Sequence, residues 1–327
     1  YKRQMLDMGK QIGHAARLCF PGGHLVSEGY RQSGAALERT AQLIADPKTS
    51  TIFEAAFQYE GTLIRADILE RSGDQSWRLI EVKASSRVKT IHQADLEVQA
   101  YVLQGCGIAL SKICLMHMNR HYVFQGGEVD LREIFVSEDL TEEILPRLSE
   151  IPEQLDHFRQ VLSQDSPPVV SPDSHCHTPY VCPFWDHCTK EKSKRWIFYL
   201  PGSKDVVKRM MKQGIEHIDE IPGQVKLSEL QQRMKDNVEW VSSDLQGSLD
   251  SVRYPVHHLD FETFMPAIPL YPKTRPYQPI PIQWSNHIEA ENFVLRHETY
   301  LCTDSRDPRE ELAVALLNSL GKDGSIC

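Results

Sequence analysis

The sequence lacks the features that mark several large classes of protein. No apolar run approaches the roughly 18 residues that span a bilayer, so no membrane anchor is expected. The 327 residues are 25% charged and 41% hydrophobic and contain no internal repeat, which excludes a collagen, a coiled-coil rod and a wholly disordered chain. The first residue is Tyr1, and neither an initiator Met nor a signal-peptide pattern is present. We therefore expect a piece of a longer protein.

Positive charge is in deficit, because 36 Lys and Arg face 45 Asp and Glu and the net charge is −9. This balance argues against a protein that coats nucleic acid, but it permits an enzyme with a local basic groove. The eight cysteines are too dispersed for a disulfide scaffold, although three of them fall within a short segment. A reduced, cytoplasmic chain with one metal or cluster site is predicted.

Hydrophobic spacing and turn residues predict an α/β fold. The predicted elements are, in chain order, a helix at 1–19, a three-stranded meander at 52–59, 62–70 and 77–82, a helix at about 91–103, strands at 113–119 and 121–124, and a long helix from Ser137 to about Leu162. The predicted domains are an α/β core at 1–163, a cysteine-cluster module at 164–200, a helical linker at 201–250 and the start of a further domain at 251–327.

Two carboxylates and a lysine form the most informative pattern. Alternation places Glu81 and Lys83 on one face of the third strand, and the hairpin through Gly73-Asp74 brings Asp67 beside Glu81. Close carboxylates repel each other, and a hard divalent ion relieves that repulsion. The pattern predicts metal-assisted phosphodiester hydrolysis, with Asp67 and Glu81 as ligands of Mg²⁺ or Mn²⁺. The alternative is a chance arrangement of charges on a solvated strand.

The order of a helix, a meander that carries Asp67 and Glu81-Val82-Lys83, and a second helix resembles the PD-(D/E)XK nucleases, specifically their RecB-like branch. The resemblance implies a restriction-endonuclease-like core in which Lys83 orients the attacking water. The segment from Gly9 to His14 matches the helix that carries a His in that branch, so His14 is implied as a further metal ligand. The alternative for His14 is a surface position on a helix.

The last motif of that branch, Gln-x-x-x-Tyr, is matched only in part. Tyr101 fits, but Glu97 stands four residues before it and Gln99 only two. Gln99 and Tyr101 are separated by about 200° around a helix, so both cannot face one point. Both are candidate catalytic residues.

Three cysteines, Cys176, Cys182 and Cys188, form a Cys-x₅-Cys-x₅-Cys cluster. This spacing in a reduced chain predicts a metal site, and unliganded cysteines are the alternative. Zinc needs a fourth ligand, which a neighbouring histidine can supply, whereas a [4Fe–4S] cluster prefers four thiolates. The neighbouring histidines are His175, His177 and His187.

The RecB-like branch includes iron–sulfur exonucleases, among them AddB-type and CRISPR-associated nucleases. The resemblance therefore implies a [4Fe–4S] cluster at the three cysteines, with Zn²⁺ as the alternative. In those nucleases the first cysteine precedes the helix that carries the His. Cys19 follows His14 instead, so we expect the first ligand to lie upstream of Tyr1.

A basic segment with interleaved aromatic residues follows the cysteines. Residues 189–213 predict phosphate contacts and base stacking, with a solvated helix face and core aromatics as the alternative. The candidate nucleic-acid-binding residues are Lys192, Lys194, Arg195, Lys208 and Arg209.

A second carboxylate motif lies at Leu259-Asp260-Phe261-Glu262-Thr263. Alternation places Asp260 and Glu262 on one strand face, as a two-metal site requires. The motif resembles the first motif of the DEDD exonucleases, which implies the start of an RNase H-like domain. An ordinary strand with two exposed acids is the alternative.

The order of all these parts resembles an uncharacterised bacterial family that joins an iron–sulfur PD-(D/E)XK domain to a DEDD-type exonuclease-like domain. We therefore predict a metal-dependent DNA nuclease that acts as an exonuclease in DNA repair or defence. Its expected partner is DNA, and no association with a membrane is expected. Two alternatives stay open. One is a catalytically degenerate nucleic-acid-binding scaffold with a metal staple, and the other is an RNA exonuclease that works through Asp260 and Glu262.

Overall fold

The chain is a mixed α/β protein with two mixed sheets. The structure is a computed structural model that describes residues 2–73, 75–202 and 204–327, so Asp74 of the predicted hairpin turn lies outside the described residues. Spatial contacts divide the chain into two units, Tyr1–Arg159 with Arg253–Cys327, and Gln160–Val252. Within the described residues, no helix is long and apolar enough to cross a membrane.

The larger sheet belongs to the first unit and has six strands in sequential order. They are β1 (His24–Leu25), β2 (Thr51–Tyr59), β3 (Thr62–Ser72), β4 (Ser76–Lys83), β5 (Ala109–Met118) and β6 (Phe135–Asp139). Strands β2, β3 and β4 form the predicted antiparallel meander. Strands β4 and β5 run parallel, because helix α3 (Thr90–Gly105) makes the crossover between them.

Helices cover both faces of this sheet. Helix α1 (Lys2–Leu18) buries Ile12 and Ala16 in a cluster with Ile80 of β4. On the opposite face, α2 (Ser33–Ala45) and α3 pack in a second cluster, in which Leu96 of α3 joins Leu79 of β4. Because Leu79 and Ile80 are adjacent on the strand, they point to opposite faces and anchor one helix layer each.

Two predicted elements in this unit are wrong. Residues 121–124, predicted as a strand, form an irregular segment that pairs only through a bridge from Phe124 to Thr274. The predicted long helix begins too early, because residues 137–139 belong to strand β6, which pairs antiparallel with β5. Cross-strand pairing therefore overrides the capping-type sequence at this point. Asp139 still supports the start of the following helix, since its Oδ1 accepts the Thr141 N–H at 3.2 Å.

The predicted long helix is also interrupted. Helix α4 (Thr141–Ile144) is followed by a 3₁₀ segment, Leu145–Glu150, and then by α5 (Ile151–Leu162). Pro146 and Pro152 lie at the starts of the second and third of these pieces. Proline lacks an N–H and clashes with the preceding helical turn, which explains why one continuous helix does not form.

The smaller sheet lies in the C-terminal part of the first unit, in the strand order β10-β7-β8-β9. Its elements are β7 (Val256–Phe264), β8 (Ile280–Glu289), β9 (Leu295–Leu301), helix α10 (Arg309–Leu320) and β10 (Ser325–Ile326). Strands β7, β8 and β9 are antiparallel, and β10 returns parallel beside β7.

The second unit is formed by short helices. They are α6 (Trp185–Thr189), α7 (Lys204–Lys212), α8 (Glu229–Asp236) and α9 (Leu245–Asp250). Its core is an aromatic and aliphatic cluster in which Trp196 and Phe198 are buried with Val207 of α7. The guanidinium of Arg195 fastens this unit, because it pairs with Asp219 and donates to the main-chain oxygen of Lys235 at 2.8 Å.

Candidate active site

The two predicted carboxylates lie where strand β4 separates from β3. The pairing of β3 with β4 runs from Ser72–Ser76 to Ile68–Ile80, whereas the pairing of β4 with β5 continues to Lys83. Beyond Ile80 the main-chain pairing of β3 with β4 stops. There a side-chain hydrogen bond joins the two strands, because Oδ2 of Asp67 accepts the Val82 main-chain N–H at 2.7 Å. The separation of the strands therefore leaves Asp67 beside the Glu81-Val82-Lys83 segment.

Lys83 is held between two carboxylates. Its Nζ lies 2.7 Å from Oε1 of Glu81 and also pairs with the carboxylate of Asp95 on helix α3. The other oxygen of Glu81 accepts the Gln99 Nε2–H at 2.7 Å. Glu81 is 6% exposed. The structure thus brings together Asp67, Glu81, Lys83 and Gln99 from the predicted set.

Burial dominates the electrostatics of this site. Burial raises the pKa of Asp67 well above its usual value, and the negative charge of Glu81 adds to the increase. Burial also raises the pKa of Glu81, while Lys83 partly opposes the shift. Burial of Lys83 disfavours its charge, but Glu81 and Asp95 outweigh this effect and raise its pKa. Lys83 is therefore a fixed cation rather than a proton acceptor.

Helix α3 contributes two polar residues that the sequence analysis missed. His92 and Asp95 precede Gln99 by seven and four residues, which places all three on one helix face. His92 is buried, and its pKa is lowered by burial and by the charge of Lys83. The spacing His-x-x-Asp-x-x-x-Gln was the signal available in the sequence.

A third acid, Glu54, was also missed. The pairing of β2 with β3 passes from Phe53–Ile68 to Ala55–Ala66, which leaves Glu54 opposite Asp67 outside the regular ladder. Glu54 has a φ of 56°, in the left-handed region that non-glycine residues rarely adopt. Its charge also raises the pKa of Asp67. A strained acidic residue beside a buried carboxylate pair is typical of a functional site.

Tyr101 and His14 lie apart from this group. The Tyr101 hydroxyl donates to Glu60 at 2.8 Å, at the turn between β2 and β3. The expectation that Gln99 and Tyr101 face different points is therefore confirmed. Glu97 pairs with Arg147 at 3.1 Å. His14 is an exposed residue of α1, and no hydrogen bond or ion pair joins it to Asp67 or Glu81 in the part of the chain that the structure describes.

The donor set of the site suits a hard divalent cation. Mg²⁺ is commonly held by one or two carboxylates together with substrate phosphate, and Asp67 and Glu81 supply two such groups. Burial raises the pKa of both acids, so a cation bound between them would stabilise their charged forms. Across residues 2–73, 75–202 and 204–327, no group of three or more His, Cys, Asp or Glu side chains has the geometry of a metal site.

The three clustered cysteines lie in one compact segment of the second unit. The Cys182 N–H donates to the main-chain oxygen of Cys176 at 2.6 Å, and the Cys188 N–H donates to Phe184 at 2.9 Å. Sγ of Cys176 lies 3.4 Å from Nε2 of His175. All three are free thiols, which is the donor type that iron–sulfur clusters and zinc require.

Two further candidates for the fourth cluster ligand, His177 and Cys19, make other contacts, whereas His187 is exposed. The His177 ring stacks on Phe198 and meets Trp185 edge-on. In the first unit, the Cys19 thiol donates to the main-chain oxygen of Leu131 at 3.4 Å, and burial raises the pKa of that thiol. Cys19 is therefore disfavoured as a thiolate ligand.

The basic segment splits into structural and exposed residues. Arg195 is occupied by Asp219 and main-chain oxygens, and Lys192 lies 5.2 Å from the centre of the Trp196 ring. The rings of Trp196 and Phe198 fill the core of the second unit, so they are not available to stack on bases. The exposed candidates are Lys194, Lys208 and Arg209.

Asp260 and Glu262 are exposed on one face of β7, as predicted. Asp260 lies opposite Ser285 and Glu262 opposite Gln283 on β8. The next position on this face carries a row of histidines across three strands, His258, His287 and His297. The rings of His287 and His297 are stacked with centroids 4.2 Å apart.

Residues 257–327 match the model of a family described as Domain of unknown function (DUF2779). The match covers almost all of the smaller sheet and helix α10. No curated protein matches the chain.

Proposed function

We propose that this chain is a metal-dependent DNA nuclease that hydrolyses phosphodiester bonds at the Asp67–Glu81–Lys83 site. The observation that carries the proposal is the buried carboxylate pair beside a lysine that two carboxylates hold in place. Burial makes both acids costly to ionise, because it raises their pKa values. A site that takes up a divalent cation gains from both of them.

Each residue of the site has a separate role in the proposed hydrolysis. Asp67 and Glu81 hold Mg²⁺ or Mn²⁺, which when bound supplies Lewis acidity toward the scissile phosphate. Lys83 keeps its proton, donates hydrogen bonds to the attacking water or to a phosphate oxygen, and offsets the charge that develops there. Gln99 and Asp95 position Glu81 and Lys83, respectively. Hydrolysis adds water across the P–O bond and releases a phosphate monoester and a hydroxyl group.

The topology of the larger sheet supports a PD-(D/E)XK core. Helix α1, the meander β2-β3-β4, the crossover helix α3 and the parallel strand β5 follow in the order that the resemblance implies. The acids lie on the second and third strands of the meander, and Gln99 lies on the following helix.

The smaller sheet supports a second nuclease-like region. Three antiparallel strands, a helix and a fourth strand that returns parallel to the first match the beginning of an RNase H-like fold. Asp260 and Glu262 on the first strand are the candidate metal ligands of this region. A specific observation, the exposure of both acids on one face, keeps an RNA exonuclease as the second candidate function.

The cysteine segment is assigned a structural [4Fe–4S] cluster in a cytoplasmic protein. Cys176, Cys182 and Cys188 supply three thiolates, and the backbone bond between Cys182 and Cys176 holds two of them in one loop. Visible absorption of protein purified without oxygen tests this assignment. Stoichiometric zinc in a colourless protein would replace it with the tetrahedral alternative, with His175 as the nearest nitrogen donor.

Cleavage of end-labelled DNA and RNA in Mn²⁺ tests the proposed function. The wild type is compared with Glu81→Ala and with the double variant Asp260→Ala/Glu262→Ala. The proposal predicts DNA cleavage that is lost in Glu81→Ala and retained in the double variant. RNA cleavage with the reverse pattern would establish the second candidate. Binding without cleavage in Mn²⁺, and in Mg²⁺ as a repeat, would establish a scaffold.

A further inference from the structure

A shallow basic cavity of about 520 Å³, largely open to solvent, lies in the first unit, outside the carboxylate site. Two loops form it, one after β5 and one between β7 and β8. Its lining residues are Arg120, Lys273, Arg275, Pro276, Tyr277 and Gln278. Three of these six are cations and none is an acid. Such a concentration of positive charge is unexpected in a chain whose net charge is −9.

The backbone fastens the two loops to each other. The Phe124 N–H donates to the main-chain oxygen of Thr274 at 2.9 Å, and the Lys273 N–H donates to Phe124 at 2.7 Å. Thr274 is buried, while its neighbours Lys273 and Arg275 are exposed. The loop is therefore anchored through Thr274 and presents a cation on each side of the anchor.

The cations of the cavity have no acidic partner. No ion pair involves Arg120, Lys273 or Arg275 within the described residues, 2–73, 75–202 and 204–327. By contrast, Arg306 and Arg309 further along the chain each pair with an aspartate. Tyr277, a further lining residue, packs partly buried against the hydrophobic cluster that contains Phe124. Cations without an acidic partner match the needs of a bound phosphate.

The cavity also lies at the end of the sheet at which the carboxylate site lies, beyond the carboxyl ends of β4 and β5. Strands β4 and β5 are parallel and end together, with Lys83 opposite His117. Arg120 follows His117 by three residues, so it extends from the edge at which Lys83 lies. The other loop follows β7, the strand that carries Asp260 and Glu262.

We propose that this cavity binds the phosphodiester backbone of the nucleic-acid strand that enters the carboxylate site. The inference rests on the proposed nuclease function and extends it with a substrate-binding site. Lys273 and Arg275 contact successive phosphates from the β7–β8 loop, and Arg120 contacts the strand from the β5 loop. Binding through the backbone reads charge and not sequence, so the site accepts strands of any base composition.

Fluorescence anisotropy of a labelled single-stranded oligonucleotide of about 20 nucleotides, in EDTA to prevent cleavage, measures this binding. The test variant is Lys273→Gln/Arg275→Gln. Its matched control is Lys48→Gln/Lys322→Gln, which removes the same charge from exposed lysines elsewhere in the unit. Arg120→Gln is an independent variant, because it leaves the β7–β8 loop unchanged. DNA and RNA probes of the same sequence identify the strand that is preferred.

We expect the test variant to lose affinity by about 10-fold or more. The slope of log K against log salt concentration should also become shallower by about 1.4, or about 0.7 for each phosphate contact that is lost. For Arg120→Gln the same slope should become shallower by about half that amount, and the control should bind as the wild type does. Wild-type affinity and salt dependence in both the double variant and Arg120→Gln would overturn the inference. If the wild type binds but never cleaves, the proposed nuclease function fails while the binding site stands.

Discussion

The carboxylate of Asp67 accepts the main-chain N–H of Val82, the residue between Glu81 and Lys83, at 2.7 Å. This bond joins β3 to β4 at the point where their ladder ends, and it fixes the distance between the two acids. The position of Asp67 is therefore set by the backbone of the Glu81-Val82-Lys83 segment itself.

Asp67→Asn is expected to stabilise the metal-free protein and to abolish cleavage. Asn keeps an oxygen that can accept the Val82 N–H, but it removes a buried charge. Because the pKa of Asp67 is raised in the folded state, the folded protein binds more protons than the unfolded chain between the ordinary and the raised pKa. The free energy of unfolding therefore falls as pH rises through that window, and the loss persists above it.

Thermal unfolding in EDTA at about pH 4 and about pH 8 checks this prediction. The melting temperature of Asp67→Asn should exceed that of the wild type at the higher pH, by about 2–4 °C for each kcal/mol recovered, and by less at the lower pH. The exposed residue Asp323 provides the control, Asp323→Asn. A lower melting temperature for Asp67→Asn at both pH values would contradict the electrostatic account.

Asp95→Asn is expected to lower the cleavage rate by about 10- to 100-fold. The substitution removes one of the two carboxylates that hold the ammonium group of Lys83, so the cation is no longer fixed toward the substrate. Single-turnover cleavage in saturating Mn²⁺ measures the effect. Asp156→Asn removes an aspartate that pairs with Arg159 and should leave the rate unchanged. Equal rates for both variants would remove Asp95 from the account.

Gln99→Ala and Tyr101→Phe are expected to differ, although both residues lie on helix α3. Gln99 donates to Glu81, whereas Tyr101 donates to Glu60 at the turn between β2 and β3. We expect about 10-fold slower cleavage for Gln99→Ala, because Glu81 loses its orienting donor, and a wild-type rate for Tyr101→Phe. The two rates are measured side by side. A larger loss in Tyr101→Phe would mean that the helix is rotated relative to this structure.

The main elements of the larger sheet follow from the sequence, but parts of the smaller one do not. Alternating apolar residues between turn glycines predict β2, β3 and β4. Strand β8 is harder to predict because a polar residue, Asn286, occupies one of its buried positions and interrupts the apolar alternation. Strand β9 is exposed along most of its length, so it carries little apolar pattern. Strand β6 was missed because Ser137-Glu138-Asp139 also suits a helix start.

The part of the site that depends on residue spacing along the strands could be predicted from the sequence. Asp67, Glu81 and Lys83 follow from strand alternation and one hairpin. Asp95 and Glu54 require knowledge of how α3 and β2 lie against those strands, which is a property of tertiary packing. The opposite lesson comes from Arg195, which was predicted as a phosphate contact but is engaged by Asp219 in the second unit.

Arg195→Ala is expected to destabilise the second unit. Arg195 pairs with Asp219 and donates to the main-chain oxygens of Met234 and Lys235, so its loss leaves several acceptors without a donor. Lys194 is exposed, and Lys194→Ala should leave stability unchanged. Thermal unfolding of the two variants checks the contrast. An unchanged melting temperature for Arg195→Ala would return this residue to the set available for nucleic acid.

The most direct test of the central claim is Mn²⁺-dependent cleavage of end-labelled DNA by Glu81→Gln and Glu70→Gln. Glu81 lies in the carboxylate pair, whereas Glu70 lies on the adjacent strand and pairs with Arg78. The account predicts that Glu81→Gln loses about 100-fold or more in rate, while Glu70→Gln cleaves as the wild type does. Wild-type cleavage by Glu81→Gln would show that hydrolysis takes place elsewhere in the molecule.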